Sequence, residues 1–345
     1  MFKQSTPKVP SLPDNDDRFT MPAQDHPHEG TWLQWPHNYG WDKQHTQRYD
    51  RIWIEITMAL HVKEKVHLVV YNEDERKRVQ SLLKQANQAQ IDFYVAESDD
   101  VWIRDHGPVF CFSHDSKLVI TDWKFNGWGK KEDYERSDKV PKIIGKKCNI
   151  PIYSIPMVNE GGSFEVDGRG TLMAKRSSIL NGNRNPGWKQ ADAERYFCRY
   201  FGVTNFIWLD GSKGDDITDD HIDGTARFAR GDTIITTRRA DFEDSREYDI
   251  IQEAKDVNGK PYHIVHVPLT KKVIPKLKDY GIYTNFYVGN NAVLVPAYND
   301  PNDSVAIKVL QDVYPERKVI GIECTEIYKD GGILNCVTQQ QPLVF

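Results

Sequence analysis

The segment KVHLVVYNEDERKRVQSLLKQANQAQIDFYV, residues 65–95, carries strand and helix signals in close succession. Residues 65–71 are rich in β-branched side chains and predict a strand. Asn72 and Asp74 are candidate caps for a helix over 75–87, where Val79, Leu82 and Leu83 recur at helical spacing. Residues 91–95 then return to a strand. Further along, 287–288 and 292–296 read as a hairpin-like pair around Gly289-Asn290-Asn291. A helix is predicted over 303–313, with Ala306, Ile307, Leu310 and Val313 on one face, and a short strand over 319–322. This alternation says α/β class. It does not say how the units are arranged.

The chain has 345 residues, 45 Lys+Arg against 50 Asp+Glu, and a formal charge of −5. A protein built mainly to hold nucleic acid would usually carry a basic excess, so that class is set aside. With 9 Trp, 16 Tyr and 14 Phe, general disorder is set aside as well. No apolar run approaches the ~20 residues of a membrane span. The first twenty residues are polar, contain proline and lack the apolar stretch of a secretory signal. Residues 1–20 are therefore expected to be a flexible leader, 21–345 one domain or two that share a core without a linker, and the compartment the cytoplasm. Five cysteines spread over this length do not suggest a disulfide framework.

Four segments crowd polar residues beside glycines. In 99–108, DDVWIRDHGP, one reading is a strand end entering a Gly-Pro turn, with Arg104 paired to a nearby carboxylate. The other reading turns Asp105 into a site walled by Trp102, a pairing that suits a planar cation. In Asn159-Glu160-Gly161-Gly162 the glycine pair marks a tight turn or a close backbone approach. In Asp219-Asp220-His221-Ile222-Asp223-Gly224, a strand would set His221 and Asp223 on one face. That pair suits acid–base work, two metal ligands or a solvated acidic loop; no further ligand spacing completes a metal set. The last is Asp330-Gly331-Gly332-Ile333-Leu334-Asn335-Cys336. A lone cysteine is more often an inert small hydrophobe, the reading for Cys111, Cys148, Cys198 and Cys324. Cys336 stands apart because a glycine pair and polar neighbours surround it. A catalytic cysteine needs a histidine and an acid close in space, which His221, Glu160, Asp105 and Asp223 would supply if the fold gathers them.

Taken together, these segments resemble the agmatine deiminase branch of the bacterial-type peptidylarginine deiminase family, in the guanidine-modifying (pentein) superfamily. The resemblance runs from Met21-Pro22-Ala23 to Gln340-Gln341-Pro342. It takes in Phe125-Asn126-Gly127-Trp128-Gly129, Asn183-Arg184-Asn185-Pro186 and Asn285-Phe286-Tyr287 as well as the four segments above. It implies a single-domain α/β propeller of five units about a pseudo-fivefold axis. It also implies a nucleophile at Cys336, guanidinium-holding carboxylates at Asp105 and Asp223, an acid/base at His221 and a further acid at Glu160. Trp102, Asp220, Gly331 and Gly332 complete the expected substrate contacts. The implied reaction converts agmatine and water to N-carbamoylputrescine and ammonia through a covalent thiouronium, with no metal or organic cofactor. Its partner is a small guanidine, without nucleic acid or membrane; a homo-oligomer is left open. Other guanidines, peptidyl arginine, amidino transfer and simple guanidine binding are the alternatives. The chain departs from the usual pattern at Asp25, Ile217, Asp220, Gly224-Thr225 and Asn335, changes expected to bear on the site's distal end.

Overall fold

In the computed structural model, the described residues are Pro10, 18–38, 43–275 and 277–345. Among them, five of the six sheets repeat one pairing pattern. A first strand pairs antiparallel with a second, and the second pairs parallel with a third reached through helix, as a parallel crossover requires. The triplets are Val109–Ser113, Leu118–Lys124 and Ile152–Val158; Phe164–Val166, Thr171–Lys175 and Asn205–Leu209; and Ala226–Ala229, Thr233–Thr236 and His263–His266. Tyr287–Val288, Ala292–Ala297 and Lys318–Glu323 form the fourth. The fifth joins the two ends of the chain: Gln339–Pro342 pairs with His28–Gln34, which pairs with Lys65–Val70. Ile91–Val95 extends this last sheet, and the sixth sheet is a hairpin of Leu269–Ile274 and Asp279–Ile282. The chain is thus mixed α/β, as its alternation predicts.

Local chemistry accounts for the elements. Val66 to Val70 are all buried, as expected of a strand covered on both faces. The helix Glu73–Leu82 starts where the Asn72 side chain accepts the N–H groups of Asp74 and Glu75, and three acids occupy its positive first turn. It ends sooner than the predicted residue 87. Asn87 accepts the Ala89 N–H and starts the short 3-10 turn Gln88–Gln90, a local bond that competes with helix. The helix Asp303–Val313 has the predicted bounds and buries Ala306 and Leu310.

Most of the predicted leader, residues 1–9 and 11–17, lies outside the described residues. Its last two residues are corrected. Phe19–Thr20 is a strand paired with Ser113 and Phe112. Phe19 is buried against Tyr153 and Tyr200, because the gain from covering its ring outweighs its polar surroundings. Among the described residues no helix is long and apolar enough to cross a membrane.

The five units share a second feature. The residues just before each first strand include polar side chains, and in three units they form a single helical or 3-10 turn. Asp105 precedes Val109, Glu160 precedes Phe164, and His221 and Asp223 precede Ala226. Asn285 precedes Tyr287, and Cys336 precedes Gln339. Leu334 and Val337, on either side of the Asn335-Cys336 pair, are fully buried in the largest apolar cluster and anchor that turn.

Candidate active site

Asp105 lies in one helical turn, Ile103–His106, rather than at a strand end. Fully buried Ile103 seats the turn. Asp105 Oδ2 accepts Trp128 Nε1–H at 2.9 Å, and Oδ1 accepts the Gly162 N–H at 2.9 Å. Burial pushes its carboxyl up to about 6, against the pull of the His221 cation. Among the described residues, Arg104 has no carboxylate partner of the kind anticipated. Its Nε donates to the Asn335 carbonyl at 3.1 Å, its Nη1 to Gln340 Oε1 at 2.9 Å, and its backbone N–H to the Cys336 carbonyl at 3.1 Å.

The glycine pair after Glu160 is a matter of space. A Cβ on Gly161 would come within 2.0 Å of the Arg104 carbonyl oxygen. One on Gly162 would stand 2.6 Å from His221 Nδ1 and 3.1 Å from both Asp105 Oδ1 and Asp223 Oδ2. Gly162 is therefore the point around which three of the anticipated side chains gather. Glu160 is fully buried, with Oε1 accepting Arg184 Nε–H at 2.8 Å and Oε2 at 3.4 Å from His221 Nε2. Burial favours the neutral acid, but His221 and Arg184 outweigh it and hold the carboxyl below its ordinary range.

His221 and Asp223 do not share a strand face. Asp219 and Asp220 have φ of 60° and 72°, which breaks any extended run, and Ile222–Gly224 is a 3-10 turn. The turn still brings both side chains to Gly162. His221 Nδ1 is 3.8 Å from Asp105 Oδ1. Burial disfavours the imidazolium, yet Asp105, Glu160 and Asp223 outweigh it and raise the ring to about 9. Asp223 Oδ2 accepts from Asn335 Nδ2 at 2.8 Å.

Cys336 is half-buried and opens onto a cavity of about 350 Å³ also lined by Trp102, Asp105, Trp128, Ile217 and Gly331. Its thiol donates to Asn285 Oδ1 at 3.5 Å. Burial and the carboxylates of Asp223 and Asp105 push the thiol well above its usual value, which favours its protonated form. Gly331, at φ 104°, forms wall; Gly332 lies beneath Trp102, whose ring a Cβ would meet at 2.4 Å. Cys111 and Cys324 are buried and Cys148 and Cys198 partly so, away from this cavity.

The sequence profile of the Porphyromonas-type peptidyl-arginine deiminase family matches residues 20–342. The chain belongs to this family. A relative from Streptomyces coelicolor, provisionally named an agmatine deiminase, is 33% identical over 341 residues, covering 94% of this chain and 99% of its own. A Porphyromonas gingivalis structure, provisionally named an arginine deiminase, is 30% identical with a TM-score of 0.83, over 95% of this chain and 99% of that one. The agmatine deiminase of Enterococcus faecalis shares the fold, with 24% identity and a TM-score of 0.82 over 95% and 96% of the two chains.

Within the family pattern, the departures fall in different places. Asp25 accepts the Arg230 N–H at 2.8 Å and lines a separate surface hollow. Asp220 pairs with buried Lys175 and faces a cleft that does not include Cys336, so it is not among the residues gathered at the cavity. Gly224 borders that same cleft. Ile217 does line the cavity, and Asn335 touches Asp223. Trp128 and Asn285 were not anticipated as contacts of Asp105 and Cys336, though both stand in segments that carry the family resemblance.

Proposed function

We propose that this protein is a cysteine-dependent guanidine deiminase whose substrate is agmatine. The observation that carries this reading is the gathering of Asp105, His221 and Asp223 around Gly162, with Glu160 behind His221. Cys336 faces the same cavity as Asp105. The repeated five-unit pairing supports a propeller, in which the segments before the first strands converge at one end.

Guanidinium is a poor electrophile because its charge is delocalised. Asp105 and Asp223 fix its nitrogens, and its positive charge, arriving beside a thiol held protonated by two carboxylates, favours the thiolate, whose proton passes to solvent. Cys336 Sγ then bonds to the central carbon. The C–N bond breaks as His221 gives a proton to the departing ammonia, leaving a thiouronium. Water attacks that carbon and gives its proton to His221. The C–S bond breaks as the remaining proton on oxygen passes to sulfur, which forms the ureido product and regenerates the thiol.

The cavity supports a substrate with a second cation. Asp99, Asp100, Glu132, Asp133 and Asp330 border it with Asp105, against one cation among the described lining residues, Arg136, itself 3.2 Å from Asp99. A free α-carboxylate, as in arginine, would meet this acidic rim unfavourably. Trp102, Trp128 and Ile217 offer apolar surface to a methylene chain.

The test is ammonia release from agmatine, arginine, a C-terminal arginyl peptide and short guanidines, with and without a thiol alkylator. Alkylator-sensitive release with agmatine well ahead is expected, and Cys336→Ala should abolish it while leaving the fold intact. Silence on every guanidine overturns the deiminase reading; release led by arginine overturns the substrate.

A further inference from the structure

The Asn183-Arg184-Asn185-Pro186 segment takes no part in the reaction above, yet its guanidinium is among the most enclosed charges in the molecule. The Arg184 side chain has no exposed surface. Its Nε donates to Glu160 Oε1 at 2.8 Å, while Nη1 donates to Asp219 Oδ2 and Nη2 to the Thr218 carbonyl at 2.9 Å. Glu160 lies 3.4 Å from His221 Nε2 on its other oxygen, and Asp219 is two residues before His221. One planar cation therefore touches both the partner of the imidazole and the chain that delivers it.

The surroundings of Arg184 are braced on both sides. Asn185 accepts the Val158 N–H at 3.0 Å and donates to the Val158 carbonyl at 2.8 Å, tying this segment to the strand that leads into Glu160. Asp219 also accepts from Lys131 Nζ at 2.9 Å and Asn183 Nδ2 at 3.2 Å. Asp219 and Asp220 both occupy the left-handed region. Non-glycine residues hold that conformation only where their surroundings over-determine it.

We propose that Arg184 is a positioning residue, which holds Glu160 against His221 and, through Asp219 and Thr218, fixes the left-handed entry to His221. This rests on the deiminase reading. Arg184 touches no reacting atom; it acts through Glu160 and the 218–220 backbone. A lysine keeps the charge but not the fork that reaches Glu160, Asn183, Asp219 and the Thr218 carbonyl together.

The test compares Arg184→Met and Arg184→Lys with the wild-type chain in steady-state agmatine deimination, with thermal unfolding as the fold check. For Arg184→Met, kcat is expected to fall about 100-fold with KM within about three-fold, the signature of lost alignment rather than lost binding. Arg184→Lys falls between that variant and wild type. On a Glu160→Gln background the same Arg184→Met change should cost less than about ten-fold, because part of its action has already been removed. A folded Arg184→Met with kcat within about three-fold of wild type overturns the proposal. So does an equal loss on both backgrounds, which would mark a general structural role. If Arg184→Met does not fold, the same comparisons are read from Arg184→Lys. No turnover by the wild-type chain overturns the deiminase reading and this proposal with it; turnover by the wild type and the variants alike overturns only the proposal.

Discussion

Asp105 and His221 are both raised, to about 6 and about 9, and stand 3.8 Å apart, so on the proposed mechanism each sets one limb of the expected activity profile. Asp105 must be ionised to hold a guanidinium, and His221 must be protonated to release ammonia. On the proposed mechanism, kcat/KM rises as pH climbs through about 6 and falls as it passes about 9, the apparent values belonging to the coupled pair. His221, raised above its unfolded value, adds stability that is full below about 6.5 and is lost as pH rises through about 9. Trp128 lowers the Asp105 carboxyl by donating to Oδ2. Trp128→Phe should therefore move the acid limb of the pH–rate profile upward and leave the alkaline limb in place. An unmoved acid limb would mean that this indole does not tune the carboxylate. Cys336 and the acids were legible in the sequence because polar residues crowd beside glycines there. The Trp128 contact was not, because it depends on a left-handed turn, with Trp128 at φ 52°, that aims the indole at a residue 23 positions away.

At the scale of elements, the site is built from what precedes strands rather than from strands themselves. A period-two spacing invited a strand over His221 to Asp223, but two left-handed aspartates before it and a 3-10 turn within it replaced that geometry. Sequence spacing carries no sign of φ at an aspartate, so this turn was not readable. The Glu160-Gly161-Gly162 turn was read as a close approach, and its steric reason now has named atoms. Gly162 is absent from the positive-φ residues, so alanine meets no special backbone penalty there. Its methyl would instead press on His221 Nδ1 at 2.6 Å and on two carboxylates at 3.1 Å. Gly162→Ala is expected to fold and to lose about 100-fold in kcat/KM, as misplacement near 1 Å commonly costs. Circular dichroism would check the fold and ammonia release the rate. Near-normal turnover would mean that the three side chains gather elsewhere when substrate is bound.

Across the whole molecule, individual units were legible while their assembly was not. The helix at 303–313 and the hairpin at 287–296 follow from local periodicity and turn residues. The fifth unit pairs the last strand with one near the start, and Trp32 Nε1 reaches Gln341 Oε1 across 309 positions. No local pattern encodes a contact of that separation. This closure has a chemical consequence, because Gln340 in the last strand accepts from Nη1 of the buried Arg104. Arg104 in turn grips the carbonyls of Asn335 and Cys336, so the last strand supports the residue beside Asp105 and the Cys336 turn together. Gln340→Leu removes one acceptor from a buried cation. It should cost about 1.5–3 kcal/mol in unfolding free energy, read as a lower urea midpoint, because a hydrogen bond to a charged group is lost without replacement by water. The kcat should fall with it, since Arg104 is then free to tilt. Gln340→Glu keeps an acceptor opposite the guanidinium and should recover much of both losses. An unchanged midpoint in Gln340→Leu would show that Arg104 finds another partner, and that the closing strand does not support the site through this bond.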